Sequence, residues 1–323
     1  MTLSTKSAAA AVPDNGIAIK TIGLTKTYPG SSTAAVSALD LTVASGSVYC
    51  LLGRNGAGKT TTIRMLTTLL APSSGTAEVL GVPIEQTRRL RPRIGVALQE
   101  VALDLWLTPR EQLELALAMA GWRRDERRTR VTALVEQFGL GTFQHKRIGS
   151  LSGGMRRRVD VALAVSHDPQ LLFLDEPSSG LDIEGKDEVW NVITSLRREG
   201  RTVVLTTHDM EEAMALSDHI GIVKDGQLVS SGPTSELTNR HGVYAYVHAP
   251  GEVADATLRR IAESGFTVTD NDHSRKTLKL QLDSANATRI GQLTAILDDH
   301  GMGTSRVEVR STSLRDAFLE ATR

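Results

Sequence analysis

The sequence predicts an α/β fold, a mixed sheet with a helical subdomain, followed by a small α+β accessory domain at the C-terminal end. Three observations carry that prediction. Short apolar runs alternate with helical patterns from Ile17 to Val229, the rhythm of parallel strands joined by crossover helices. Several runs are apolar on both faces, as strands covered by helices on each side are. After about Arg240 the order becomes strand, helix, strand, strand, helix, strand, a split βαββαβ unit.

The elements follow in order. Residues 1–16 lack a charged start followed by an apolar block of signal length and are expected to form a disordered tail. "IAIKTIGLTKTY" and "ALDLTVASG" alternate in polarity and suggest an antiparallel edge. Strands are expected at 48–53, 93–99, 171–175, 202–208 and 220–226, with a helical subdomain over about 100–165. A boundary near 236–242 separates a first domain, 17–238, from a second, 239–323. In the second, strands fall at 243–248, 266–270, 277–282 and 305–310, helices at 253–264 and 286–299. "TSLRDAFLEATR" reads as a closing amphipathic helix.

Composition excludes several classes. The 323 residues carry 37 basic and 37 acidic side chains, so net charge makes no case for nucleic acid or an anionic membrane surface. The one cysteine, Cys50, rules out an internal disulfide framework and sits in "VYCLLG" as a small core residue. No segment approaches the roughly 20 apolar residues of a membrane helix, so a soluble chain is expected whose membrane role would come through a partner.

Two motifs carry phosphate chemistry. "GRNGAGKTT" (Gly53, Arg54, Asn55, Gly56, Ala57, Gly58, Lys59, Thr60, Thr61) fits G-x-x-x-x-G-K-[ST], after an apolar strand and before a helical run. Its glycines let backbone N–H groups point at phosphate oxygens, and the helix start adds a positive dipole end. Lys59 supplies a point charge for the β- and γ-phosphates, and the Thr60 hydroxyl would bind Mg²⁺. "LLFLDEP" ends a strand in two carboxylates: Asp175 can reach the metal shell, and Glu176 can polarise a water for in-line attack. A third stretch, "LSGGMRRRVDVAL", opens a helix with Ser152, Gly153 and Gly154, a further anion site in a chain that already has one.

In this order the motifs resemble the ATP-binding cassette family along residues 17–235, with "LSGGM" standing as its signature about twenty residues before "LLFLDEPSSGLD". The resemblance implies further roles: Gln99 as the Q-loop glutamine beside the Mg²⁺ site and His208 as the switch histidine. Ser179, Gly180, Leu181 and Asp182 would form the D-loop. Tyr28 would stack on adenine, unless it merely flanks the Pro29–Gly30 turn. The family pattern also implies a homodimer in which Ser152 and Gly154 of one subunit bond the γ-phosphate of ATP held by the other. Met155, Arg54 and Ser178 stand where glutamine, proline and threonine are commoner, and none of these removes a reacting group.

The arginines of "MRRR" are expected to face solvent or acidic groups near the nucleotide rather than nucleic acid. Trp106 and Leu107, with Leu113, Leu117 and Ala120, form either a groove for the coupling helix of a permease, as the resemblance implies, or core packing. "TSLRDAFLEATR" resembles the "SLEDVFL" terminus of bacterial exporter ATPases of the daunorubicin/doxorubicin-resistance type. The resemblance thus implies an ATPase subunit at the cytoplasmic face of the membrane, serving a separate integral-membrane permease that exports a hydrophobic compound. The rival reading is a soluble cassette ATPase acting on nucleic acid or the ribosome. Against it, Lys59 and Ser152 stand too close for an inserted coiled-coil rod, and only one cassette is present.

Overall fold

The structure, a computed structural model, describes residues 16–323 apart from 101, 240–242, 250, 252, 273–275, 283–286, 304, 312–317 and 319–323. The expected N-terminal tail, but for Gly16, and the expected closing helix, but for Phe318, lie outside the described residues. Contacts divide the chain between Thr234 and Ser235.

The first unit opens with β1 (Ile17–Lys26), β2 (Val36–Ala44), β3 (Val48–Gly53), α1 (Lys59–Leu66), β4 (Ser74–Val79), β5 (Val82–Pro83) and α2 (Thr87–Leu90). It continues through β6 (Ile94–Ala97), α3 (Pro109–Met119), α4 (Arg124–Gln137), α5 (Gly153–Ala164), β7 (Leu171–Asp175) and α6 (Ile183–Arg198). It closes with β8 (Thr202–Thr207), α7 (Met210–Leu216), β9 (His219–Lys224), β10 (Gln227–Pro233) and the start of α8 (Thr234–Asn239).

Two sheets result. The main one runs β10-β9-β3-β8-β7-β6, parallel except where β10 pairs with β9. β3, β7 and β8 are buried at every position, which accounts for their unbroken apolar reading. The "antiparallel edge" is instead a separate sheet, β2-β1-β4-β5. Its inward residues, among them Ile19, Leu39, Leu41 and Val79, form one core with Leu51, Phe173 and Val204 of the main sheet and Ile63 of α1. Alternation marks a strand with one dry face; it does not say which sheet the strand joins.

The helical subdomain is built from α3, α4 and the start of α5. Thr108 caps α3 reciprocally with Glu111, and Pro109 takes the first helical position. Leu113 and Leu117 are fully buried where α3 meets α4 and α5, so they are core and not groove. The exposed apolar side chains are Leu105, Trp106, Leu115 and Met119, with Trp106 76% and Met119 82% exposed.

In the second unit β11 (Val243–His248), α9 (Asp255–Glu263), β12 (Thr267–Asp272), β13 (Thr277–Leu282), α10 (Ala287–Asp299) and β14 (Arg306–Ser311) follow α8. They form a fully antiparallel sheet, β12-β13-β11-β14, with Ala245, Val247, Leu278 and Leu280 in one core with Ile261 and Leu293.

Gly95 of β6 fixes how closely α5 can lie on the main sheet, since a Cβ there would stand 1.9 Å from the Ala164 carbonyl oxygen. Gly95→Ala is expected to destabilise the first unit by about 1–3 kcal/mol through overpacking, read as a lower midpoint in urea denaturation.

Candidate active site

Phosphate-loop geometry begins with two close approaches. A Cβ on Gly53 would stand 2.6 Å from the Val223 carbonyl oxygen, so only glycine lets β3 leave the sheet beside β9. Gly58 returns the chain at φ +100°, where a side chain would meet the Ala35 oxygen at 2.3 Å. That left-handed glycine heads α1 without a side-chain cap, which leaves the first helical N–H groups free for an anion.

Lys59, only 4% exposed, donates to the carbonyls of Gly53 (2.9 Å) and Arg54 (3.2 Å) and lies 3.4 Å from a Glu176 oxygen. A cleft of about 300 Å³ is lined by Ala35, Asn55, Gly56, Gly58, Lys59, Thr60, Thr61, Gln99 and Glu176. Gly53, Arg54 and Ala57 of the predicted loop do not line it. Gly53 and Ala57 are buried in support, and Arg54 contributes its carbonyl while its side chain is exposed.

Asp175 is wholly buried at the end of β7. One carboxylate oxygen accepts from Thr206 (2.5 Å) and Thr60 (3.2 Å); the other is buried without a partner. A buried carboxylate oxygen left unpaired is costly. Beside the Thr60 hydroxyl it is the hard oxygen pair that Mg²⁺ takes, so the residues present fit that ion.

Glu176 comes next, in the left-handed region at φ +48°. Its N–H donates to both the carbonyl (3.1 Å) and the hydroxyl (3.0 Å) of Thr206, which holds this unfavourable backbone. The carboxylate, 7% exposed, meets Lys59 on one oxygen, together with His208 Nδ1 at 3.3 Å. Gln99 Nε2 donates to the other at 3.4 Å. Lys59, Gln99 and His208, all predicted, thus converge on Glu176. Gln99, expected beside the metal, turns its amide to the glutamate.

Tyr28 stands at the edge, 37% exposed, with its hydroxyl 3.4 Å from Thr61 Oγ1 and Lys26 Nζ 5.8 Å from its ring centre. Ser152 heads α5 as an exposed N-cap that accepts from the Met155 N–H at 3.3 Å, and it does not line the cleft. Gly153 joins Ser179, Gly180 and Leu181 around a second cavity of about 330 Å³, which Gln99, Arg157 and Glu176 also line. Asp182, the last D-loop residue, caps α6 through the Gly185 N–H at 2.9 Å.

Glu212 and Thr206 are buried groups that the sequence did not single out. Arg157 meets an acidic group rather than solvent, one of the two surroundings expected for it. It is 4% exposed, paired with Asp160 at 2.8 Å, and its other donors go to backbone carbonyls. Burial lowers its pKa and pushes Asp160 up to about 6, against the pull of Arg157. Glu212, whose pKa burial raises, accepts from Ser178 (2.6 Å) and Trp190 (3.3 Å) and so fastens α7 to α6 and to the residue before the expected D-loop. Thr206 organises both acidic residues. The only sequence signals were a basic–acidic pair three residues apart in "RRVD" and two threonines closing an apolar strand.

A phosphate cradle and an acidic pair at the C-terminal ends of β3 and β7 make this a P-loop nucleotidase. The ABC transporter family profile matches residues 36–179. The chain is 37% identical over 308 residues to the daunorubicin/doxorubicin resistance ATP-binding protein DrrA of Streptomyces peucetius, covering 94% of this chain and 90% of that protein. It is 36% identical over 291 residues to the Nod factor export ATP-binding protein I of Rhizobium meliloti, covering 88% and 86%. Among solved structures, a dimeric post-hydrolysis ATP-binding cassette bound to ADP and Pi superposes with TM-score 0.62 at 26% identity, covering 67% of this chain and 98% of that one. The chain belongs to the ABC transporter family as a nucleotide-binding subunit with ATPase chemistry.

Because Thr206 serves both Asp175 and Glu176, Thr206→Val should cost about 1–3 kcal/mol of stability by leaving buried polar groups unpaired, measured by thermal melting. It should also lower kcat for ATP.

Proposed function

We propose that this chain is the ATP-hydrolysing subunit of an exporter whose membrane-spanning permease is a separate chain, and that two copies clasp two ATP molecules between them. One observation carries the dimer. A Cβ on Gly153 or Gly154 would meet nothing closer than 3.7 Å and 3.4 Å, ordinary contacts, and neither residue has a positive φ. Glycine at a helix start costs stability relative to alanine, and nothing in this chain's own packing demands it. A bare backbone behind the exposed Ser152 suits a phosphate brought by a second subunit.

The residues then divide the work. Lys59 and the loop N–H groups hold the β- and γ-phosphates, with Tyr28 against the adenine. Thr60 and Asp175 would hold Mg²⁺, with Gln99 close by; bound there, the ion would neutralise charge on the phosphate oxygens. Glu176 takes the proton of the attacking water, His208 steadies the glutamate, and Gln99 donates to its other oxygen. Ser152 and Gly154 of the partner bond the γ-phosphate only in the closed pair, so ATP favours closure and hydrolysis withdraws that preference.

Among the described residues no helix is long and apolar enough to cross a membrane; the separate permease and a peripheral place on the cytoplasmic face follow the relatives, which are named as ATP-binding proteins of resistance and export systems. Exposed Trp106, with Arg147 5.7 Å from its ring, offers a docking point seven residues after Gln99. The exporter reading and a hydrophobic cargo follow the relatives, one named for daunorubicin/doxorubicin resistance and one for Nod factor export.

Glu176→Gln should lower turnover by about 10²–10⁴-fold while an ATP-bound dimer accumulates on size-exclusion chromatography. Wild-type turnover in that variant would take the base role from Glu176. Ser152→Ala should weaken ATP-driven dimerisation and leave monomer binding of a fluorescent ATP analogue intact; parallel loss of both would place Ser152 in its own chain's cleft.

A further inference from the structure

We propose that Arg157 is a positioning residue for hydrolysis, a clamp that fixes the backbone flanking Gln99 and Glu176 and so sets where those two side chains stand. The proposal rests on the roles given to Gln99 and Glu176 above. Arg157 Nη1 donates to the Leu98 carbonyl at 2.5 Å, the residue before Gln99. Nη2 donates to the Asp175 carbonyl at 2.8 Å and Nε to the Pro177 carbonyl at 3.0 Å, the residues on either side of Glu176. One guanidinium therefore spans two chain segments that leave neighbouring strands, β6 and β7, and turn toward the cleft.

Side-chain chemistry explains why arginine stands there. Leu98 and Pro177 lie beyond their strand ends and Asp175 is the last paired residue of β7, so these carbonyls stand where the ladder runs out, and buried carbonyls need donors. A planar fork of fixed donors satisfies all three from one side chain; an ammonium is a single point. Asp160, one turn along α5, takes a further Nη1 hydrogen bond and balances the charge. Burying such an ion pair is a poor route to stability, since apolar side chains of similar volume do as well or better. Its distinctive yield is geometry. Glu176 is pinned at its own N–H by Thr206 and on both flanking carbonyls by Arg157, which fixes a glutamate whose backbone is strained at φ +48°. Arg157 also shares with Gln99 and Glu176 the lining of the second cavity.

Arg157→Lys and Arg157→Met, made in the full-length chain, test this by separating kcat from binding. With the clamp gone, kcat for ATP should fall about 10- to 100-fold, the scale of a small misplacement of reacting groups. KM and affinity for a non-hydrolysable fluorescent ATP analogue should stay within about twofold of wild type, because Lys59 and the loop are untouched. Arg157→Lys keeps a buried cation beside Asp160, so it isolates the fork from the charge and should restore folding but not kcat. Wild-type kcat in Arg157→Lys overturns the clamp. So does a kcat loss matched by equal loss of analogue binding, or an Arg157→Lys chain that fails to fold, since either assigns Arg157 to stability alone. Glu176→Gln distinguishes the two levels: full turnover there removes the glutamate's role, whereas full turnover in Arg157→Lys with an inactive Glu176→Gln removes only the clamp.

Discussion

Lys59 and Glu176 meet 3.4 Å apart with almost no exposure, and the rest of the site is arranged to make that buried ion pair tolerable. Such a pair survives only when the remaining hydrogen-bonding capacity on each side is met. Lys59 has the Gly53 and Arg54 carbonyls; Glu176 has Gln99 and His208. The partners come from distant parts of the chain, so the pair can form only once the main sheet has brought the ends of β3, β7 and β8 together. In the proposed reaction the same pair would couple binding to chemistry: a phosphate arriving at Lys59 would compete with Glu176 for one ammonium, and a glutamate released from it would keep Gln99 and His208 as neighbours.

Sheet order does the rest of the placing. β8 lies between β3 and β7, so its Thr206 supports the acidic pair at the end of β7 while Lys59, at the end of the loop after β3, reaches Glu176. The buried, unpartnered oxygen of Asp175 is costly in this chain, and the Mg²⁺ of the proposed function would offset that cost. Glu212 extends the support outward by holding Ser178, the residue before the expected D-loop, to α7, the helix that follows His208.

What sequence could reveal was local. The phosphate loop is one continuous stretch whose spacing directly encodes a turn and a helix start, and the acidic pair closes an apolar strand. Both were readable without knowing what surrounds them. The βαββαβ order of the second unit was readable for the same reason, since each element announces its own period. Non-local facts were not. Leu113 and Leu117 form a proper helical stripe, but only the tertiary contact with α4 and α5 shows that this stripe is covered, leaving Leu115 and Met119 outside. Arg157 belongs to a residue class normally solvated; the three carbonyls that draw it inward are delivered by strand ends far from it in sequence.

α5 shows how one helix satisfies opposed demands. Its first turn carries two glycines behind Ser152, which keeps the backbone approachable and weakens the helix where it starts. In the proposed dimer a loose helix start would let Ser152 wander, and a phosphate seat that wanders would bind poorly because ordering it subtracts from affinity. The serine cap recovers part of this through the Met155 N–H. Arg157 supplies more, since it anchors α5 by the second turn to groups that cannot move without disturbing the sheet. The bare first turn is therefore held out on a fixed base, and the residue that fixes it also touches the backbone around Glu176. In the clamp proposed above, Arg157 adds to the rigidity of both the exposed serine, held also by its own cap, and the buried glutamate, held also by Thr206.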